Sequence, residues 1–220
     1  FFKNEEFCFY IGLVFISIIV ITLNLVLNGF YSIGEGLRYS AFQVNSVIST
    51  TGYATADFNL WPVLSKFILI MLMFIGPSAG STGGSMKCIR YLLLLKIIKR
   101  ELAKIIHPRA VHTVKIAGKA VDETTLWGTM AFFFIYIIIF VISSLVVCLD
   151  GKDLVSSVTA VIASIGNIGP GLGIVGPTGS YSGFSNLSKI VLSFCMIAGR
   201  LEILPVLVLF SPSAWKKASI

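Results

Sequence analysis

The segments that decide the fold are residues 48–52, Ile-Ser-Thr-Thr-Gly, and residues 165–169, Ile-Gly-Asn-Ile-Gly. Each follows a short apolar stretch, residues 39–48 in the first case and residues 154–163 in the second. Ten helical residues cover about 15 Å, half of the hydrocarbon core of a bilayer. A helix this short that runs into a Gly-containing loop is typical of a re-entrant pore helix. A pair of buried surface helices would give the same pattern.

Long apolar stretches flank both segments. Residues 7–27, 127–149 and 187–210 are each long enough, at about 1.5 Å per residue, to cross a bilayer core of about 30 Å. Residues 62–75 are apolar over only about 21 Å of helix, and the polar run GPSAGSTGGS at residues 76–85 follows them. Because backbone amides at membrane depth need partners, we predict that this run breaks a helix that resumes near residues 86–106 and lines a cavity.

A second repeated signal accompanies the loops. The tripeptide Leu-Ser-Lys occurs at residues 64–66 and again at residues 187–189, and Gly76 and Gly199 follow its lysines at the same spacing. The chain therefore reads as two parallel copies of one unit, span–pore helix–span, in an all-α integral membrane protein. We predict a first repeat over residues 1–106, a basic cytoplasmic linker over residues 107–125, and a second repeat over residues 126–220.

Composition supports a membrane protein. Of 220 residues, 56% are hydrophobic and 12% charged, with a mean hydropathy of +0.92. These values exclude an ordinary soluble enzyme, a disordered chain and a secreted disulfide scaffold. The four cysteines have neither metal-ligand spacing nor a paired pattern, so we expect them to be packing residues. The chain begins at Phe1 rather than at Met, and we expect it to be a fragment.

The net charge of +7 follows from topology rather than from nucleic-acid binding. Nine basic residues and three acidic ones lie between Lys87 and Thr125, and Lys216 and Lys217 follow the last apolar stretch. The positive-inside rule then places the linker and the C-terminus in the cytoplasm. His107 and His112 lie in the same linker, and a solvated position is more plausible for them than a metal site.

Several motifs resemble the Trk/Ktr/HKT potassium transporter superfamily. Residues 49–53, STTGY, with residues 57–62, DFNLWP, are similar to its third pore loop. Residues 76–87, GPSAGSTGGSMK, resemble its broken third inner helix, and residues 167–173, NIGPGLG, resemble the fourth pore loop of its TrkH branch. Residues 199–202, GRLE, followed by Pro205, resemble its last inner helix.

This resemblance implies potassium translocation across the plasma membrane through a filter of backbone carbonyls in a pseudo-tetrameric pore. With four repeats in the family, this chain would supply the third and the fourth. Glycine in both loops implies selectivity for K⁺, whereas serine marks Na⁺-permeable relatives. The implied partners are K⁺ as the transported ion, the bilayer, a second copy of the complete subunit and a cytosolic nucleotide-binding TrkA-like ring, with no cofactor in this chain. The carbonyls assigned to ion sites are those of Thr50, Thr51, Gly52, Asn167, Ile168 and Gly169.

We also predict a gate beneath the filter. Gly76 lies about 15 Å below Lys66, and Arg200 lies about 16 Å below Lys189, so both are expected near the membrane midplane. An arginine at this depth needs water or acceptors, and the carbonyls of a Gly-rich loop are acceptors. The alternative is that Arg200 only links two helices. The residues assigned to gating are Gly76, Gly80, Ser81, Thr82, Gly83, Gly84 and Arg200.

Two other functions compete with this one. An enzyme with a phosphate-binding loop would need the pattern Gly-x-x-x-x-Gly-Lys-Ser/Thr after a strand, whereas here Gly84 is followed by Ser85, Met86 and Lys87 between membrane helices. A secondary transporter of another small substrate would bind it at a broken helix near the midplane. The broken helix fits such a transporter, but a parallel repeat with paired pore loops does not.

Overall fold

A computed structural model of the protein describes residues 4–107 and 113–201. Within these residues the chain is mostly helical, with a single short hairpin. The α-helices are α1 (Glu5–Leu27), α2 (Ile33–Ile48), α3 (Val63–Phe74), α4 (Cys88–Ile106), α5 (Glu123–Cys148), α6 (Leu154–Ile165) and α7 (Asn186–Arg200). Three 3₁₀ helices cover Phe58–Leu60, Gly173–Val175 and Tyr181–Gly183, and the hairpin strands are β1 (Lys115–Ile116) and β2 (Lys119–Ala120).

Helices α1 and α5 are long and apolar enough to cross a membrane, with mean hydropathies of 2.6 and 2.9. The side chain of Asn4 begins α1 by accepting hydrogen bonds from the backbone N–H groups of Glu6 and Phe7. Helix α5 begins at Glu123, inside the range predicted for the linker. For the third predicted span, α7 is described as far as Arg200, and residues 202–210 lie outside the described part.

Helix α2 begins earlier than the sequence analysis predicted. It starts at Ile33 rather than near residue 39, because Ser32 and Glu35 form a capping box. The Ser32 hydroxyl accepts from the Glu35 N–H, and the Glu35 carboxylate accepts from the Ser32 N–H. This Ser-x-x-Glu signal is present in the sequence, but the polar residues after it obscured the helix. Helix α6 begins at Leu154 as predicted and ends at Ile165.

Six of the seven helices pack as two groups of three, which share side chains at their junction, and α4 packs against α1 and α5. Helix α1 packs with α2 and α3, and α5 packs with α6 and α7. Ile162 and Ile168 lie in the core of the first group although they come from the second half of the chain. Met86, which precedes α4, lies in the core of the second group. Burial of these side chains fixes the two loop segments against each other.

The linker contains a hairpin that an all-α prediction did not include. Lys115 pairs with Ala120 and Ile116 with Lys119. Ala117 and Gly118 form the turn with φ values of +50° and +81°, as two-residue hairpin turns of type I′ require. The hairpin is held by Val114, which packs in a cluster with Leu93, Ile97 and Leu126. Residues 108–112, including Arg109 and His112, lie outside the described part.

The cysteines occupy different environments along this fold. All four lie in the described part, and none forms a disulfide. Cys88 and Cys195 are buried, as expected of packing residues, and Cys148 is half-buried. Cys8 is exposed on α1, and a packing role for it stays a prediction.

Candidate functional site

The loop after α2 begins with a Schellman turn. The Thr50 N–H donates to the Val47 carbonyl (3.0 Å), and the Thr51 N–H donates to the Ser46 carbonyl (2.9 Å). Thr50 itself has a φ of +56°, which is rare for a β-branched residue. Gly52 follows with a φ of +79°. Two left-handed residues this close together turn the chain sharply away from the helix axis.

The loop after α6 has the same backbone pattern. The Asn167 N–H donates to the Ser164 carbonyl (3.0 Å), and the Ile168 N–H donates to the Ala163 carbonyl (2.9 Å). Asn167 has a φ of +54°, and Gly169 has a φ of +106°. The two loop sequences share little beyond a glycine. The two loops are therefore similar in backbone conformation and backbone hydrogen bonding rather than in side chains.

Each loop follows the C-terminal end of a helix, which carries a partial negative charge. No basic residue lies in the last turn of α2 or of α6, so no side-chain charge from these turns offsets the partial negative charge of their terminal carbonyls. The region just beyond Ile48 and Ile165 therefore favours a cation.

The two loops touch at Gly52. A Cβ atom at this position would lie 1.8 Å from the Ile168 carbonyl oxygen, so no side chain fits there without moving the backbone. At the corresponding Gly169, a Cβ atom would meet nothing described within 4 Å. The fold thus brings the two predicted loops into contact, through Gly52 of the first loop and Ile168 of the second.

Tyr181 is a contact of the second loop that the sequence analysis missed. Its hydroxyl donates to the Gly169 carbonyl at 2.6 Å. The residue lies in the 3₁₀ helix that precedes Lys189, and Phe58 begins the corresponding 3₁₀ helix before Lys66. A phenylalanine has no hydroxyl to donate. The sequence contained a signal for this difference, because both residues precede a Leu-Ser-Lys tripeptide at the same spacing.

The lysines of these tripeptides have equivalent positions. The Lys66 ammonium donates to the Asn59 carbonyl at 3.2 Å, and the Lys189 ammonium donates to the Ser182 carbonyl at 2.9 Å. Each acceptor is the middle residue of a 3₁₀ helix. The two lysines therefore hold the return from each loop onto the helix that follows.

The Gly-rich segment lies between α3 and α4 and is closed by backbone pairing. The Gly76 N–H donates to the Met86 carbonyl at 2.8 Å, and the Cys88 N–H donates to the Pro77 carbonyl at 3.2 Å. The Ser85 hydroxyl donates to the carbonyls of Met73 and Phe74 at 3.0 and 2.7 Å. These bonds satisfy carbonyls that the end of α3 leaves open.

The same segment contacts both loops. The Gly84 N–H donates to the Thr50 hydroxyl at 3.3 Å, and a Cβ atom on Gly84 would lie 2.4 Å from the Gly166 carbonyl oxygen. Gly83 is similarly close, since its Cβ atom would lie 2.8 Å from the Thr50 hydroxyl. Glycine at these two positions lets the backbone of the segment approach the loops closely.

Lys87 and Glu6 hold the segment from outside, and neither was singled out by the sequence analysis. The Lys87 ammonium donates to the carbonyls of Ser81 and Gly83 at 2.8 and 2.6 Å. The Glu6 carboxylate accepts from the Ala79 N–H at 2.6 Å. Next to Ala79, Gly80 is exposed and has a φ of +83°. Thr82 is exposed as well.

Arg200 makes no hydrogen bond or ion pair with any residue of the described ranges. It is the last residue of α7 and is exposed. The preceding Gly199 packs closely, since its Cβ atom would lie 1.8 Å from the Ile165 carbonyl oxygen. Glu202 and Pro205 lie outside the described part. The described contacts of the Gly-rich segment thus involve Lys87 rather than Arg200.

Comparison with known proteins identifies the family. Residues 9–217 match the TrkH family, described as cation transport proteins. The chain belongs to the TrkH family. It is 36% identical over 216 residues to the Trk system potassium uptake protein TrkH of Escherichia coli K12, covering 98% of this chain and 44% of that protein. It is 38% identical over 200 residues to TrkH of Halomonas elongata, covering 91% of this chain and 41% of that protein.

A solved structure has the same fold. The crystal structure of the potassium transporter TrkH from Vibrio parahaemolyticus superposes with a TM-score of 0.88 at 37% identity, over 98% of this chain and 46% of that one. The chain therefore spans less than half the length of the TrkH relatives that it matches. The family is one of cation transport proteins rather than of enzymes, and no group of three or more His, Cys, Asp or Glu side chains among the described residues could hold a metal ion.

Proposed function

We propose that this chain forms two adjacent quarters of a pore that conducts K⁺ across the plasma membrane. The observation that carries the proposal is the shared backbone of the two loops, residues 50–52 and residues 167–169. Each has a left-handed residue followed by a left-handed glycine, and each begins with the same pair of hydrogen bonds. Carbonyls presented by such loops replace the hydration shell of a dehydrated ion.

The close approach of Gly52 to Ile168 supports a ring arrangement. In a ring, every loop touches one neighbour on each side. Gly52 meets the Ile168 carbonyl, whereas Gly169 faces open space, where the next repeat of a complete subunit would lie. The first loop thus contacts the second through Gly52. In a complete subunit, the second loop would contact the next repeat in the same way through Gly169.

The proposal is tested in the complete protein by Gly52→Ser and Gly169→Ser. Both variants are expected to lower the preference for K⁺ over Na⁺, measured as the flux ratio in liposomes. Gly29→Ser is the matched control, because Gly29 also has a positive φ, +71°, but a Cβ atom there meets nothing within 4 Å. Unchanged selectivity in both loop variants would contradict the assignment of these carbonyls to ion sites.

We further propose that the Gly-rich segment, residues 76–85, is a gate. Its contacts with Thr50 and Gly166 place it directly against the two loops. Arg200 would add a positive barrier to cations in the pore. It has no described contact with the Gly-rich segment. Deletion within residues 78–83 and the variant Arg200→Ala are expected to raise K⁺ flux in the complete protein. Folded variants with flux at or below wild type would instead assign both to helix packing.

The remaining parts of the proposal concern partners and topology. A homodimer of the complete subunit and a cytosolic nucleotide-binding TrkA-like ring are expected partners, and the linker and C-terminus are expected to be cytoplasmic because of their basic residues. The competing function is secondary transport of another small substrate at the broken helix. An ion-flux assay run beside a substrate-uptake screen separates the two functions.

A further inference from the structure

A basic cavity lies where the C-terminal half of α4 meets the hairpin of the linker. It has a volume of about 300 Å³ and is lined by Lys96, Lys99, Arg100, Ala103, Thr113 and Lys115 among others. Four of these side chains are cationic, and the Thr113 side chain adds a hydroxyl group. The described lining contains no acidic side chain.

Only part of this positive charge is balanced by described carboxylates. Lys96 pairs with Glu5, and Arg100 pairs with Glu101 and Glu123. Within residues 4–107 and 113–201, the ammonium groups of Lys99 and Lys115 have no hydrogen-bond or ion-pair partner. The cavity therefore has two cationic groups available for an anionic ligand.

An exposed apolar stripe runs along α4 beside the cavity. Its members are exposed by 53–76%: Leu95 (53%), Ile98 (56%), Leu102 (57%) and Ile105 (76%). They are spaced three and four residues apart, so they lie on one face of the helix. Lys99 is four residues after Leu95, so it lies on the same face of the helix, beside the stripe and about 6 Å nearer the linker. Apolar surface and unpaired cations thus meet on one helix.

We propose that this cavity binds the phosphate group of an anionic phospholipid in the inner leaflet, with the acyl chains directed toward the bilayer along Leu95, at the membrane-side end of the apolar stripe. Basic pockets between membrane helices on the cytoplasmic side bind such headgroups. An acidic peptide would satisfy the lysines but leave the stripe bare, whereas a phospholipid covers both. The proposal rests on the cytoplasmic orientation proposed for the linker. A soluble phosphate shares the headgroup chemistry but has nothing to place on the stripe.

The test measures binding of phosphatidylglycerol to the delipidated complete protein by native mass spectrometry. Lys99→Gln and Lys115→Gln are each expected to weaken binding about fivefold, the effect of one basic residue near an anionic surface. Lys119→Gln is the matched control, since Lys119 lies in the same hairpin but is absent from the described cavity lining. Phosphatidylcholine is expected to bind equally to all variants.

A second pair of measurements separates the sources of phosphate. Leu95→Ser is expected to weaken phosphatidylglycerol binding but not binding of inorganic phosphate, because it changes only the membrane-side end of the stripe. Inorganic phosphate that binds through Lys99 and Lys115 in a protein that retains no phosphatidylglycerol would refute the lipid site. Full phosphatidylglycerol binding by the double lysine variant, or by the Leu95→Ser variant, would also refute it. Since lipid binding and K⁺ flux are measured separately, failure of either proposal leaves the other standing.

Discussion

The side chain of Asn59 joins the two halves of the chain, and its removal gives a quantitative test of that junction. The Asn59 amide donates to the Gly173 carbonyl at 3.0 Å and accepts from the Gly173 N–H at 2.8 Å. Asn59 is itself oriented by Asp57, whose carboxylate accepts from the Asn59 N–H at 3.0 Å. Gly173 is the last residue of the segment 167–173 that resembles a pore loop, so this pair of bonds ties that segment to the first half of the chain.

The magnitude follows from the number of bonds lost. Each hydrogen bond between neutral groups contributes about 0.5–1.5 kcal/mol, and these two are partly exposed, so Asn59→Ala is expected to cost about 1–2 kcal/mol. Gly176→Ala is expected to cost a similar amount by another route. A Cβ atom there would lie 1.9 Å from the Asn59 amide nitrogen, and its three nearest atoms all belong to the Asn59 side chain. The new methyl group would therefore displace the amide and break both bonds.

The two variants form a double-mutant cycle in the complete protein. Once Asn59 is alanine, the amide that Gly176→Ala would displace is gone, so the second change is expected to be nearly neutral. The coupling energy is then about 1–2 kcal/mol, measured from the midpoints of thermal unfolding of the four proteins in detergent. Ser182→Ala, at the corresponding place in the second repeat, is the control and is expected to change stability by less than about 0.5 kcal/mol. Additive losses of stability in the double variant would refute the proposed role of the two Asn59–Gly173 hydrogen bonds.

Three further predictions follow, the first on the second loop, the next on the Gly-rich segment and the last on the N-terminus of α6. Tyr181→Phe removes the hydroxyl that restrains the Gly169 carbonyl, and we expect lower K⁺ over Na⁺ selectivity with unchanged expression; unchanged flux ratios would mean that the bond does not hold the filter. Gly84→Ala places a Cβ atom 2.4 Å from a backbone carbonyl oxygen, so the Gly-rich segment should withdraw from the loops and K⁺ flux should rise; wild-type flux would contradict this. The pKa of Asp153 is lowered because its carboxylate accepts hydrogen bonds from the side chain and backbone of Ser156, so its contribution to stability is present above its ordinary pKa of about 4 and is lost as the pH falls through the lowered value. Asp153→Asn should remove this dependence from unfolding curves measured between about pH 2 and pH 7, and an unchanged acid profile would show that Asp153 contributes nothing to it.

Much of the architecture could be predicted from the sequence because hydrophobic length is a local property. The extents of α1 and α5 follow from the number of consecutive apolar residues needed to cross a bilayer. The end of α3 near Gly76 follows from a Gly/Pro/Ser run that cannot continue a helix in lipid. The early start of α2 was also encoded locally, in the capping box of Ser32 and Glu35, but its polar residues weakened the apolar pattern that the prediction relied on.

The neighbours of each loop were decided only by the tertiary structure. Gly52 lies against the Ile168 carbonyl, and the Asn59 side chain hydrogen-bonds to Gly173. No local sequence feature predicts either of these contacts. The sequence analysis paired the Gly-rich segment with Arg200 by counting depth along two helices, and depth carries no information about direction around a helix axis. Among the described residues, Lys87 is a cation that contacts the segment, and the gating role of Arg200 stays a prediction.

The sequence by itself therefore determined which segments are long and apolar enough to cross a membrane, where the Gly-rich run ends a helix, and which residue types the loops carry. These features depend on hydrophobicity and on backbone preference over a few neighbouring residues. Only the tertiary structure decided which carbonyl faces which glycine and which cation holds the Gly-rich segment. Such contacts join residues far apart in the chain, at distances fixed by how whole helices pack, and a change of a few ångströms in that packing would give each of them a different partner.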